Sequence, residues 1–490
     1  MRAIHHAGGR APPARGFAAG IAAAAIVTAA APRGARAEEP VAAGEPRMMS
    51  ETAEVTTVID AFDRDDPIDV NLWLGFEQQW KRANIRRETS LAQPGLTTGG
   101  FTARTENIAR YSENTSLLHL GAEVGIFRDL AFSLHLPFTI ANSRELGDLD
   151  GSSRNPSRLQ DTNGEQLFSV PFKSPTRSGV DHIAAGLSYA ILNQQRDWTK
   201  PTWIVGVEAQ LPLGTPLHAC GDSGPAKNCP DPANPAVSRD PGISRGMTGL
   251  NLRTVFSRRF GYVEPYSGFL FQAEFPHDGS DFGATSNFQG SLVNHPPLIG
   301  KFFLGTEIIP WEHRERFQRI VIDLRASGAY HSPGREYSEL FDALGTSQAK
   351  SLRTPNPSAY HDEGGTSVAD PAAQKVYFTG ITDQQAFGSF GASGGVTWQA
   401  GEFVKFNAGL GLVWNQSHAV TSADACNPDF VGSAGAAGPC HGVANGGAGP
   451  QPVTGIPNPN HRAVIDTPGH RFSVDDTTIV NLWLSGIVMF

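Results

Sequence analysis

Three histidines raise the question of chemistry. His119, His135 and His182 fall on three consecutive stretches of alternating polarity, with Glu77, Glu123 and Glu208 on the same parity of their own stretches. Imidazoles and carboxylates gathered on one sheet face could hold a metal ion or act as acid and base. The other residues of that parity favour a plainer reading. Arg253, Glu274, Lys301, Glu307, Arg319, Asp323, Arg325 and Lys405 mix both signs, as a hydrated wall of cross-strand ion pairs does. No catalytic set, metal or cofactor is therefore expected from them.

Other short motifs dissolve in the same way. Gly221-Asp222-Ser223-Gly224-Pro225 looks like a serine-protease nucleophile loop, but the second glycine before the proline and any Ala-Ala-His-Cys block are missing. Asp148-Leu149-Asp150-Gly151 lacks the glutamate that would complete a calcium loop. The Gly/Ala run from Gly432 to Gly449 has no strand-to-helix setting in which to cradle a phosphate. The four cysteines form two close pairs, Cys220 with Cys229 and Cys426 with Cys440. In an exported chain these spacings predict two local disulfides, each limiting loop entropy by roughly 2–3 kcal/mol.

The elements that must position these residues are strands. The last thirteen residues, Thr478 to Phe490, alternate with period two and end on an aromatic residue. Such a terminal strand resembles the closing strand, or assembly signal, of bacterial outer-membrane barrels, in which Phe490 would meet the barrel assembly machinery. Val70-Asn71-Leu72-Trp73-Leu74 repeats as Val480-Asn481-Leu482-Trp483-Leu484, as first and last strands paired at a seam could. Alternation begins at Ile68, and ten further stretches follow between these two. They are Ser116–Ile126, Leu130–Asn142, Asp181–Leu192, Thr202–Leu213, Gly249–Ser257, Tyr262–Phe275, Leu298–Ile309, Gln318–His331, Gln385–Trp398 and Phe403–Asn415.

The connections between them are alternately long and short. This predicts an all-β fold, a transmembrane antiparallel up-and-down barrel of about 12 strands with short periplasmic turns and long external loops. Trp203, Trp311 and Trp398 fall at the short-turn ends, and Trp414 and Tyr330 at the other, as aromatic girdles do. One external loop breaks the period: Tyr337, Leu340, Phe341 and Leu344 have helical spacing up to Gly345. That helix either packs on the rim or folds into the mouth, and rim packing is the expectation.

Export frames the rest. Arg2, Arg10 and Arg15 precede a small-apolar run from Phe17 to Ala31, and Ala35-Arg36-Ala37 fits a cleavage site, so residues 1–37 read as a signal peptide. Residues 38–67 read as a periplasmic segment, with a solvated acidic cluster at Asp60, Asp63, Asp65 and Asp66, and 68–490 as the barrel. The signal holds five arginines and no acid, so its loss takes the formal charge from −9 to −14. A chain this acidic is no nucleic-acid binder. Its expected partners are outer-membrane lipids, lipopolysaccharide met through divalent ions, and a small-molecule solute.

Residues 118–140 and 182–213 carry a family resemblance. The turn after Gly125-Ile126-Phe127, the strand end Leu136-Pro137-Phe138, Gly186-Leu187-Ser188-Tyr189 and Leu211-Pro212-Leu213-Gly214 resemble the phenol-degradation-pathway (MetA-pathway) outer-membrane protein family. The resemblance covers about a third of the chain. It implies a channel-like barrel, without enzymatic activity, passing small hydrophobic or aromatic compounds. A lipid hydrolase and an adhesive surface protein are the two rivals.

Overall fold

Strand alternation with one apolar parity can bury its polar parity only by curling the sheet on itself, and this chain does so. The computed structural model describes residues 54–63, 66–92, 101–149, 159–161, 163–277, 279–282, 293, 295–357, 375–427 and 456–490. Twelve strands form the wall: β1 Val70–Ala92, β2 Phe101–Phe127, β3 Leu130–Gly147, β4 His182–Leu192, β5 Thr202–Pro212 and β6 Met247–Ser257. The other half is β7 Val263–Pro276, β8 Ile299–His313, β9 Gln318–His331, β10 Phe387–Gly401, β11 Val404–Asn415 and β12 Phe472–Met489. Each pairs antiparallel with its chain neighbours, and β12 pairs with both β11 and β1. Closure leaves the sheet without a free edge, so wall N–H and C=O groups find partners without water.

The outward parity is apolar and exposed: Leu72, Leu74 and Phe76 on β1, Leu120 on β2, Phe132, Leu134 and Phe138 on β3, and likewise around to Leu484 and Val488 on β12. A belt this continuous is tolerable only against lipid. Trp311, Trp398, Trp414 and Tyr330 stand exposed at strand ends, at the levels the sequence assigned to them. No helix among the described residues is long and apolar enough to cross a membrane. The crossing is made by strands.

The strands that carry the repeated pentapeptides pair at the seam, but the repeats are offset: Leu74 faces Gly486 and Leu72 faces Val488, while Leu484 faces Phe76 and Val480 faces Trp80. Phe490 extends the pairing: its N–H donates to the Val70 carbonyl at 2.9 Å, and the Val70 N–H donates back at 3.0 Å. Its ring projects outward, 63% exposed. Phe490→Ala should therefore leave the wall's pairing intact yet lower the amount of folded barrel in the membrane several-fold. The heat-modifiable gel shift of membrane fractions reads this, and wild-type yield would remove Phe490 from assembly.

Several sequence boundaries move. The first strand begins at Val70 rather than Ile68, because Asp66–Ile68 pairs with Ala61–Asp63 in a small hairpin. Strands β1 and β2 run to 23 and 27 residues, well past the predicted ends. Their alternation fades above Lys81 because both faces change environment there. The outer face leaves lipid for water, and the inner face turns apolar with Ala83, Ile85, Ile108 and Tyr111 to meet the loops.

Both ends of the lumen are crossed by chain. At the short-turn end Glu54–Thr56 forms one 3-10 turn. Thr56 Oγ1 shares a hydrogen bond of 2.7 Å with Ser257 Oγ on β6. Val58 buries against Ala190 and Ile204, inward residues of β4 and β5. Asp60 is buried rather than solvated, with Arg196 Nη2 3.5 Å from its carboxylate. The segment passes close to β2 because position 125 is glycine: a Cβ there would lie 1.8 Å from the Asp60 carbonyl.

At the other end the long loops fold in. The helical element is shorter than predicted, Phe341–Gly345 (α1), and it does not cap the rim. Leu340 and Leu344 are fully buried in a cluster with Ile85, Leu146, Phe472 and Val474, which line the inner face of β1, β3 and β12. Those inward apolar side chains are what draws the loop into the mouth. A disulfide joins Cys220 to Cys229 in the loop after β5. Cys440, the predicted partner of Cys426, lies outside the described residues, as do residues 1–53, the completion of the Asp148 turn and the Gly432–Gly449 run.

Candidate functional site: the barrel lumen

Inward-facing rings are seated on glycines. Trp73 on β1 lies directly opposite Gly121 of β2, and Trp483 on β12 opposite Gly409 of β11. Tyr266 on β7 faces Gly305 of β8, and Phe303 on β8 faces Gly268 of β7. A Cβ added at any of the four glycines would fall 2.0–2.4 Å from the facing ring. The missing side chain lets each ring lie down along the wall instead of standing across the lumen. Arg253 does the same over Gly206. In a ring of twelve strands β1 stands opposite β7, so Trp73 and Tyr266 come from opposite walls.

Polar clusters fix these rings in place. Trp483 Nε1 donates to Asn407 Oδ1 at 2.7 Å. Tyr266 donates its hydroxyl to Asp323 at 2.5 Å and accepts from Arg325 Nε at 2.8 Å, while the Arg325 guanidinium lies over both the Tyr266 and Phe303 rings. His119 Nδ1 and His135 Nε2 are 3.0 Å apart, Glu77 is 3.3 Å from His119 Nε2, and Trp73 packs 5.0 Å from the His135 ring. His182 turns to Asp181 at 3.1 Å. Glu208 accepts from Asn251 and Gln210. Lys301 projects inward on β8, and Glu274 pairs with Arg245 from a loop.

Glu307, Arg319 and Lys405 form a buried layer near the short-turn end, with Glu264, directly opposite Glu307. Beside it a chamber of about 160 Å3 is bounded by Trp73, Glu123, Lys405, Ser485, Ile487 and, from the N-terminal segment, Thr57. Glu123 feels the charges of Lys405 and of Arg253 from farther round the wall.

The mouth is held by ion pairs between loops and wall. Asp342 of α1 takes Arg177 in a two-pronged pair at 2.6 and 3.0 Å, plus the Ser174 hydroxyl and the Cys220 N–H. Lys81 of β1 reaches Glu339 at 2.7 Å. Arg245 bridges Glu274 and Glu336.

Among the polar positions picked from parity, the structure brings Glu77 to His119, His119 to His135, and Asp323 to Arg325. No three metal-ligating side chains converge among the described residues. His331 Nε2 does lie 3.3 Å from Ser389 Oγ, but both face inward. The His331 ring is stacked on Phe387, and no carboxylate among the described residues orients it as a catalytic base requires. Parity missed the four rings because only charge was sought on the inner face. The signal was present: both tryptophans sit in the repeated pentapeptide, and each ring has a strand-interior glycine on the neighbouring strand.

Fold and lumen together define a class: a closed 12-strand barrel of the bacterial outer membrane, with a narrow ring-lined lumen crossed by chain at both ends. No protein-family model matches the chain, and no curated protein is detectably similar to it. Among solved structures, the COG4313 outer membrane channel from Pseudomonas putida F1 is similar at 10% identity and TM-score 0.33, over 88% of this chain and 100% of that one. A Pseudomonas aeruginosa FadL homologue is similar at 8% identity and TM-score 0.31, over 86% and 90% of the two chains. The P. putida toluene transporter TodX is similar at 9% identity and TM-score 0.30, over 90% and 93%.

Proposed function

We propose that this barrel is a gated passive channel for small molecules that present an aromatic or apolar face, as the family resemblance implies. The observation that carries the reading is the set of rings laid on glycines from opposite walls. A purely ionic wall would favour water and salts. Ring faces give an apolar solute a surface to exchange for water, at about 0.5–1.5 kcal/mol per aromatic contact beyond area burial. The charged clusters keep the remaining lumen hydrated, so a solute is held weakly enough to leave. With short turns and N-terminal segment on the periplasmic side, the loop plug is the outer gate. The reading makes the protein no enzyme.

The test separates the rings from the bore. Trp73→Ala with Trp483→Ala widens the lumen and removes its aromatic seam. Ion conductance in planar bilayers should rise, while influx of a single-ring aromatic into proteoliposomes should fall about tenfold relative to a sugar of similar size. If both fluxes rise together, the rings are mere filler and the channel is unselective. If neither solute crosses the wild-type barrel, the surface-protein reading replaces this one.

A further inference from the structure

On the outer wall, just above the apolar belt, two arginines stand with no ion pair among the described residues. The outward row of β1 runs Leu72, Leu74, Phe76, Gln78, Trp80 and Arg82, from lipid-type residues through a half-exposed indole to charge. On β2 the equivalent row rises from Leu120 to Arg110. Arg82 lies opposite Ser112 on one side and Thr478 on the other. Arg110 lies opposite Asn84 and Gly147. The two are diagonal neighbours, at about 7–8 Å, within reach of one another's guanidinium groups.

Both are exposed, and no described carboxylate or hydroxyl pairs with either. Two of the acids nearby are engaged elsewhere, and the third, the exposed Glu145, lies opposite Ser112 on the same outer face. Asp475 holds Arg86, and Asp476 accepts from Asn84. Two like charges beside small neutral neighbours repel, which costs stability unless an anion sits between them. In a chain of formal charge −9 such an uncompensated pair is out of character. Its height is informative, because the exposed Trp80 ring directly below it sits where aromatic belts meet headgroups.

We propose that Arg82 and Arg110 form a binding site for the phosphate of an outer-leaflet lipid headgroup. Two guanidinium forks can each donate paired N–H groups to phosphate oxygens. The Ser112 and Thr478 hydroxyls flank the same spot. Contact is direct and needs no bridging divalent cation, in contrast to what overall acidity suggests.

Purified barrel in detergent tests this with diphosphoryl lipid A, dephosphorylated lipid A and inorganic phosphate as separate probes. Lipid A should raise the unfolding temperature and remain bound in native mass spectra with chelator present. Arg82→Gln with Arg110→Gln should weaken that binding by about tenfold per arginine lost. Arg82→Lys with Arg110→Lys should retain only part of it, since the fork geometry goes. Both variants should keep wild-type gel shift and conductance, and Arg128→Gln at the other end should leave lipid binding unchanged. Equal stabilisation by dephosphorylated lipid overturns the proposal, as does undiminished binding by the double glutamine variant. Equal stabilisation by inorganic phosphate overturns the lipid assignment. Binding abolished by chelator restores the divalent bridge.

Discussion

Asp342→Ala should open the outer mouth and raise single-channel conductance several-fold in a barrel that still shows the folded gel shift. The expectation follows from what the carboxylate holds. It takes both prongs of Arg177, the Ser174 hydroxyl and the Cys220 N–H, and neither it nor the guanidinium has appreciable contact with water. Truncating one member of a buried pair strands the other, at a cost of about 3–5 kcal/mol. The wall cannot relax, being a closed ladder of hydrogen bonds. The loops can, by swinging α1 away from Arg177, which stays paired to β3, and letting water reach the guanidinium. Protease should then cut the segment after β9 faster than in the wild type. Arg177→Met with Asp342→Leu provides the control, since an apolar pair of similar volume removes the stranded charge and should restore low conductance. Wild-type conductance for Asp342→Ala would show that α1 does not limit passage.

The wall was legible in the sequence because one physical rule governs it: period-two alternation between lipid and lumen. Where that rule held, from Thr202 to Leu213 or Gln318 to His331, predicted and observed strands agree within a residue or so. Where strands leave the membrane the rule lapses. Phe472 to Thr477 and Lys81 to Ala92 were therefore missed, although their backbones stay paired through one register shift each, at Asp475–Thr478 and at Ile85–Arg86. The plug was half legible. Helical spacing at Tyr337–Leu344 gave the element, but its place depended on Ile85, Leu146 and Phe472, which lie far off in sequence and join only after closure. Asp60 read as solvated because composition cannot show that Arg196 and the inner wall enclose it. The rings of the lumen were not singled out, although Trp73 and Trp483 share the polar parity of their strands, because that parity was read for charge alone.

Raising the pH should loosen the same plug. Asp466 in the short helix Ala463–Asp466 and Asp383 in the strand Thr382–Gln384 are both buried in the external loops. Burial, reinforced by Asp383, pushes the Asp466 carboxyl up to about 8, despite N–H bonds from Arg462 and Ala423. Burial likewise raises Asp383 to about 6, against the pull of Arg335 at 3.8 Å and with Asp424 adding to the rise. Both groups bind protons more tightly in the packed loops than in free ones, so their contribution favours closure at low pH. It is complete below about pH 4, where a free aspartate also protonates, and it is lost as pH rises through 6 and then 8. The site ties the two longest loops together: Arg462 donates to the carbonyls of Thr354 and Val376, and Ser422 donates its hydroxyl to that of Asp383. Conductance and protease sensitivity should therefore climb several-fold between pH 5 and 8.5, most steeply below 6, where both groups hold protons only in the packed loops, and through a shallower upper step that levels off near 8. Asp466→Asn keeps a neutral amide at the site and should flatten that upper step. A variant with the wild-type pH profile would move the sensor elsewhere, and a flat wild-type profile would mean that ionising Asp466 leaves the plug in place.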